Sequence, residues 1–197
     1  MSPAFRHALW LVIAINATMF GVEMIAGALA QSQALKADAL DFLGDTLTYG
    51  ISLFVIGMSL QIRATAALVK GISLAVMGVW VFGSTLYHVL VLGVPNAPVM
   101  GVVGLLALGA NIASVLILMR YRDGDANVRS VWLCSRNDAI GNLAVMMAAG
   151  GVAVTGTAWP DLVVAGLMAA LFLWSSIHII QQAMQERRVD ESPHAAE

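Results

Sequence analysis

Apolar residues along this chain gather into long runs separated by short polar breaks. Six runs reach or exceed the roughly 20 residues that a helix needs to cross a bilayer. They predict helices over residues 9–30, 38–60, 64–92, 97–121, 131–154 and 162–183. The breaks, at residues 31–37, 61–63, 93–96, 122–130 and 155–161, are too short to hold a soluble domain. The expected fold is all-α: a polytopic membrane protein with six transmembrane helices over residues 1–183, followed by a short polar tail at 184–197. The first run ends in Ala28-Leu29-Ala30, the A-x-A form of a signal-peptidase site. Its length of about 20 residues exceeds the usual core of about 7–15 in a signal peptide, and it carries Asn16 and Glu23, so it is read as a retained helix.

Composition strengthens the membrane reading. Hydrophobic residues make up 59% of the chain and charged residues 11%, with a mean hydropathy of +0.83. Soluble domains are typically about 45–50% apolar and about 25% charged. A net charge of −2 gives no reason to expect a nucleic-acid partner. With Cys134 as the one cysteine, an intrachain disulfide is excluded. Positive charge is strongly asymmetric: Arg6, Arg63, Lys70, Arg120, Arg122, Arg129, Arg187 and Arg188 fall on one side of the expected bilayer and Lys36 on the other. The positive-inside bias therefore predicts that both termini are cytoplasmic.

Against this apolar background a few charges stand out. Asp41 and Asp45 lie in the second run, and Asp138 lies in the fifth, one helical turn after Cys134. A carboxylate in hydrocarbon costs roughly 2.5–3.5 kcal/mol even on lenient insertion scales, so each requires a proton, a counter-charge or a metal ion. Residues i and i+4 share a helix face about 6 Å apart, so each pair aims two ligand groups in one direction. Together Asp41, Asp45, Cys134 and Asp138 would make a four-ligand metal site. Carboxylate oxygens at about 2.0–2.2 Å and a thiolate at about 2.3 Å suit Zn²⁺, and the thiolate also accepts softer Cd²⁺. The two motifs, D-x-x-x-D and C-x-x-x-D, sit in helices of opposite direction, a weak inverted repeat of the kind transporters build around a midplane site.

Other polar residues have plainer readings. Asp38 and Asp161 are expected to cap helix starts near the outer surface, and Asp41 would join them if the second helix began later. Asn16 and Glu23, seven apart on nearly one face, suggest interhelical hydrogen bonding before metal ligation. Cys134 is either a ligand or an inert small hydrophobe. Arg136 faces away from Cys134 and snorkels or gates, while Asn142, one turn beyond Asp138, can hydrogen-bond a ligand or a passing water. His88 and His178 read as packed or interfacial. His7 and His194 are uninformative.

Two stretches resemble the motifs of one family. Residues Ser32 to Asp45, SQALKADALDFLGD, are similar to the second-helix S-x-A-L-x-A-D-A-x-[HD]-x-x-x-D pattern of the cation diffusion facilitators. Residues Asn127 to Ala139, NVRSVWLCSRNDA, are similar to that family's N-V-R…H-x-x-x-D-A fifth-helix motif. The resemblance implies a homodimeric antiporter that exchanges divalent cations such as zinc for protons. Cys134 stands where the family usually has His or Asp, which shifts the expected substrate toward softer ions. The family's usual cytoplasmic dimerisation domain is expected to be absent, so a dimer would be held by membrane helices at small residues such as Gly71 and Ala75 or Gly166 and Ala170.

Charge arithmetic points the same way. Three carboxylates and a thiolate around M²⁺ leave −2 in a low-dielectric core, and an emptied site must take up protons. Metal export in exchange for protons follows, with no organic cofactor and the lipid bilayer as surroundings. A bacterial inner membrane would supply the proton gradient. An enzyme is not expected, since H-E-x-x-H and G-x-S-x-G motifs are missing from the sequence. A non-transporting membrane metal-binding protein or a membrane enzyme is the alternative, and a metal-free proton path is a third reading.

Overall fold

The computed structural model describes residues 3–55, 58–91, 93–121 and 126–191, without the side chains of residues 52, 60, 120, 126–137 and 188–191. Among the described residues all regular elements are helical: α1 (Pro3–Ala30), α2 (Gln33–Val55), α3 (Leu60–Leu90), α4 (Ala97–Leu118), a 3-10 turn (Met119–Tyr121), α5 (Ala126–Thr155) and α6 (Trp159–Glu191). The expected all-α membrane fold is therefore present. Five of these helices are long and apolar enough to cross a membrane. The exception, α2, carries Lys36, Asp38, Asp41 and Asp45, and it tolerates them because its neighbours cover it: Ala34, Leu35, Ala37, Asp38 and Ala39 are all buried. Leu29, Val76, Leu90, Val102, Leu167 and Trp174 are by contrast exposed on the outer helices, an apolar surface suited to lipid.

Short connections turn the helices back and forth between two ends. At the end that holds both chain termini, Phe5 of α1 stacks edge-on against Tyr121, and Trp10 of α1 against Phe54 of α2. At the opposite end three connections meet: the Asn96 amide donates to the Ala30 carbonyl at 3.0 Å, and Ser32 bonds Asp161 of α6.

Local chemistry fixes the helix ends. Gln31 adopts φ +55, and the Ser32 amide donates to the Gly27 carbonyl at 3.0 Å, a left-handed C-cap that closes α1. Ser32 then caps α2, its hydroxyl accepting from the Leu35 amide at 3.0 Å. Consequently α2 starts at Gln33 and not at Asp38, and the supposed loop at 31–37 shrinks to two residues. Asn96 caps α4 by accepting from the Val99 amide at 3.1 Å. Gly156, at φ +63, ends α5. At the other extreme α6 continues to Glu191, through most of the stretch expected as a polar tail, with Gln182 donating to Glu186 across one turn at 2.9 Å.

Packing divides the bundle into a close α3–α6 pair and a group formed by α1, α2, α4 and α5. Glycines allow the pair to approach: a Cβ at Gly71 would lie 2.7 Å from Ile180 Cγ1, and one at Gly78 would lie 3.0 Å from Leu173 Cγ. Gly71 is thus spent inside the chain, which corrects its expected use between two copies. Gly166 has nothing within 4 Å of its Cβ position and remains on an open face. A core of Ala30, Ala34, Leu35, Met100, Val103, Val145, Ala148, Ala149 and Val152 fills the opposite end between α1, α2, α4 and α5.

Candidate metal site

Beginning α2 at Gln33 places Asp41 about 12 Å along the axis and Asp45 one turn further, too deep for either to cap the helix. Both carboxyl groups point toward α5. Asp41 interacts with Asp138, and Asp45 interacts with Asp138, with the Tyr49 hydroxyl one turn below it and with Asn16 of α1. All three acids are half-buried.

A cavity of about 750 Å³ reaches two of them, Asp41 and Asp45. Asp41, Asp45 and Thr48 of α2 line it on one side, Lys70 and Ser73 of α3 and Gln182 and Glu186 of α6 on the other. These α3 and α6 residues belong to the half of each helix nearest the chain termini, so the cavity lies in that half of the bundle.

Three of the four expected ligands, Asp41, Asp45 and Asp138, thereby lie within electrostatic range of one another. The fourth, Cys134, lies on α5 one turn before Asp138, but its side chain is outside the described residues, as is that of Arg136. Among the described residues, no three His, Cys, Asp or Glu side chains converge closely enough to share one ion.

Several neighbours differ from expectation. Asp38 is not a cap: it sits in the second turn of α2, 2% exposed, and its Oδ2 has no hydrogen-bond partner among the described residues. Glu23 and Asn16, 0% and 1% exposed, likewise have no hydrogen-bond partner of good geometry for their side chains among the described residues. They are not isolated from the acids, however. Glu23 lies within electrostatic range of Asp38 and Asp41, and Asn16 sits beside Asp45. Asn142 is fully buried with both amide atoms unbonded among the described residues. The result is a polar column through the bundle, from Asn16 and Asp45 through Asp41 to Asp38 and Glu23.

Asp161 does cap a helix start, but that of α2 and not its own. The two membrane histidines are occupied by their own helices: His88 Nδ1 donates to the Ser84 carbonyl and His178 Nδ1 to the Trp174 carbonyl, each at 2.9 Å. Sequence reasoning missed Tyr49, although its i+4 spacing from Asp45 was the available signal. It also missed Gln182 and Glu186, which reach the cavity only because α6 is longer than its apolar run.

The chain resembles known proteins over most of its length. Residues 9–186 match the family model for the cation efflux transmembrane domain. The chain is 24% identical to the metal cation efflux system protein CzcD of Cupriavidus metallidurans, over 92% of its own length and 63% of that protein's. It is 26% identical to the cation efflux system protein CzcD of an Alcaligenes species, over 86% of its own length and 56% of that protein's. It thus spans about three-fifths of the length of these curated relatives.

Proposed function

The chain belongs to the cation efflux family, and on that premise we propose that it exports divalent metal cations of the zinc and cadmium type in exchange for protons. The observation that carries this reading is the placement of Asp41 and Asp45 on the wall of a cavity in the half of the bundle nearest the chain termini, with Asp138 of α5 interacting with both. The positive-inside bias makes that end cytoplasmic, so the cavity is the route by which a cation reaches the site from the cell interior.

In this reading Asp41, Asp45, Cys134 and Asp138 surround the cargo ion. The backbone of α5 supplies the geometry, since Cys134 and Asp138 are one turn apart on a continuous helix. The Tyr49 hydroxyl donates to Asp45 and fixes the orientation of that carboxylate. The amides of Asn16 and Asn142 are placed to bond water that accompanies the ion. A cation in the site offsets the repulsion among its carboxylates, and protons do so after the cation has left, which couples the two fluxes. Residues 1–183 would form the transport unit in a bacterial inner membrane, with the open α6 face at Gly166 and Ala170 available to a second copy.

Calorimetric titration of the purified protein with Zn²⁺ and Cd²⁺ tests the site. The native protein should bind one ion with release of protons, and Asp45→Ala and Asp138→Ala should abolish the heat. Cys134→Ser should weaken Cd²⁺ more than Zn²⁺. Binding that survives both aspartate substitutions would refute the proposed ligand set.

A further inference from the structure

The first turn of α2 is held by a residue from the far end of the chain. Asp161, 0% exposed at the start of α6, accepts from the Ser32 hydroxyl at 2.6 Å and the Ala34 amide at 3.1 Å through Oδ1, and from the Gln33 amide at 2.8 Å through Oδ2. With Ser32 serving the Leu35 amide, the first three amides of α2 are all bonded. A carboxylate at a helix N-terminus also meets the positive end of the helix dipole, and hydrogen bonds to a charged acceptor are roughly twice as strong as neutral ones. A second bond acts beside it: Ser84 of α3 donates to Gln33 Oε1 at 2.6 Å.

These contacts join the two groups of the bundle. Asp161 and Ser84 belong to the α3–α6 pair, whereas α2 belongs to the other group. At the terminal end the same three helices separate around the cavity. Helices α2, α3 and α6 therefore form a wedge that is bolted at the opposite end and parted by the cavity in the half nearest the chain termini. Between the bolt and Asp41 the interface is dry, with Ala37, Leu40, Val81, Ala169 and Phe172 packed together.

We propose that Asp161 is a positioning residue that latches the opposite end shut, and that the ion pathway opens on that side only when its carboxylate leaves the first turn of α2. The latch is specific to the closed state because its donors are backbone amides of one helix and its acceptor is carried by another. The proposal rests on the transport reading for its purpose, but its test does not need metal flux.

Ala37, 0% exposed between the latch and Asp41, is the reporter. Ala37→Cys protein in proteoliposomes is treated with a membrane-impermeant thiol reagent on one side at a time, and labelling of the peptide containing residue 37 is read by mass spectrometry so that Cys134 is not counted. With native Asp161 the site should be protected from the side opposite the chain termini. Asp161→Ala should speed labelling from that side by about tenfold or more, the change expected when a charge-assisted bond that favours one of two states is lost. Ser32→Ala, which removes one donor and leaves both amide contacts, should give a smaller increase on the same side. Unchanged labelling in both folded variants, or an equal rise from both sides, would overturn the latch and leave Asp161 as a fold-stabilising cap. If Asp161→Ala does not fold, Ser32→Ala decides alone. Absent metal flux in the native protein would instead count against the transport reading while leaving the labelling result intact.

Discussion

Asp41 on α2 and Asp138 on α5 interact across the middle of the bundle, with Asp45 one turn away from the first and in range of the second. Like charges at such separation in a poorly solvated interior repel, so the arrangement is costly unless a cation or protons compensate. A cation bound among these carboxylates, or protons on them, would offset that repulsion.

Asp45→Ala and Asp138→Ala should each lower metal affinity by more than the roughly 10–100-fold typical of losing a residue that only orients a ligand. Tyr49→Phe should fall within that range, because it removes the hydroxyl that donates to Asp45 and leaves the ring in its buried place. Competition against a fluorescent zinc chelator measures both. Equal losses for Tyr49→Phe and Asp45→Ala would contradict the assignment of separate roles.

Metal affinity should fall as pH falls. A protonated carboxyl or thiol cannot ligate, so each proton taken up by Asp41, Asp45, Asp138 or Cys134 competes with the ion. Calorimetry in buffers of different ionisation enthalpy should reveal proton release on binding, and its absence would detach the protons from the site.

The α3–α6 contact predicts an asymmetry between two glycines. Gly71→Ala places a Cβ against Ile180 and should destabilise by about 1–3 kcal/mol, as overpacking does. Gly166→Ala meets open space and should be neutral or stabilising by about 0.5–1 kcal/mol, since alanine is the better helix former. Thermal unfolding in detergent distinguishes them. Similar stabilities would mean that α3 and α6 are not in close register at Gly71.

The carboxyl column predicts that neutral replacements of its upper members are tolerated by the fold. Glu23→Gln and Asp38→Asn remove charge from positions 0% and 2% exposed while keeping shape, so their unfolding temperatures should equal or exceed that of the native protein. A marked loss of stability would show that these carboxylates are bonded as charged groups.

Much of this architecture was legible from hydrophobic runs, because lipid imposes long apolar helices whatever their partners. The exception is instructive. The start of α2 was misplaced because Lys36 and Asp38 look like surface residues, whereas they are carried on a helix enclosed by others. Its capping residue, Ser32, was visible, but the carboxylate that completes the cap comes from Asp161, 129 residues away from Ser32, and no local pattern announces such a partner. For the same reason Asp161 read as a cap for its own helix. The i,i+4 spacing of Asp41 and Asp45 put both on one face of α2, and the fold turns that face toward Asp138 of α5. Tyr49 escaped notice because it is an ordinary residue of a membrane helix until Asp45 is placed beside it, and Asn16 was noticed without its pairing to Asp45, which only the packing of α1 on α2 reveals.

The most direct test of the central claim is metal-driven proton flux in proteoliposomes, measured with Zn²⁺ and Cd²⁺ for the native protein, Asp45→Ala and Asp138→Ala. The account predicts opposite movement of metal and protons in the native protein and loss of both fluxes in either variant. Metal binding without flux by well-folded native protein, or flux that persists in both variants, would contradict it.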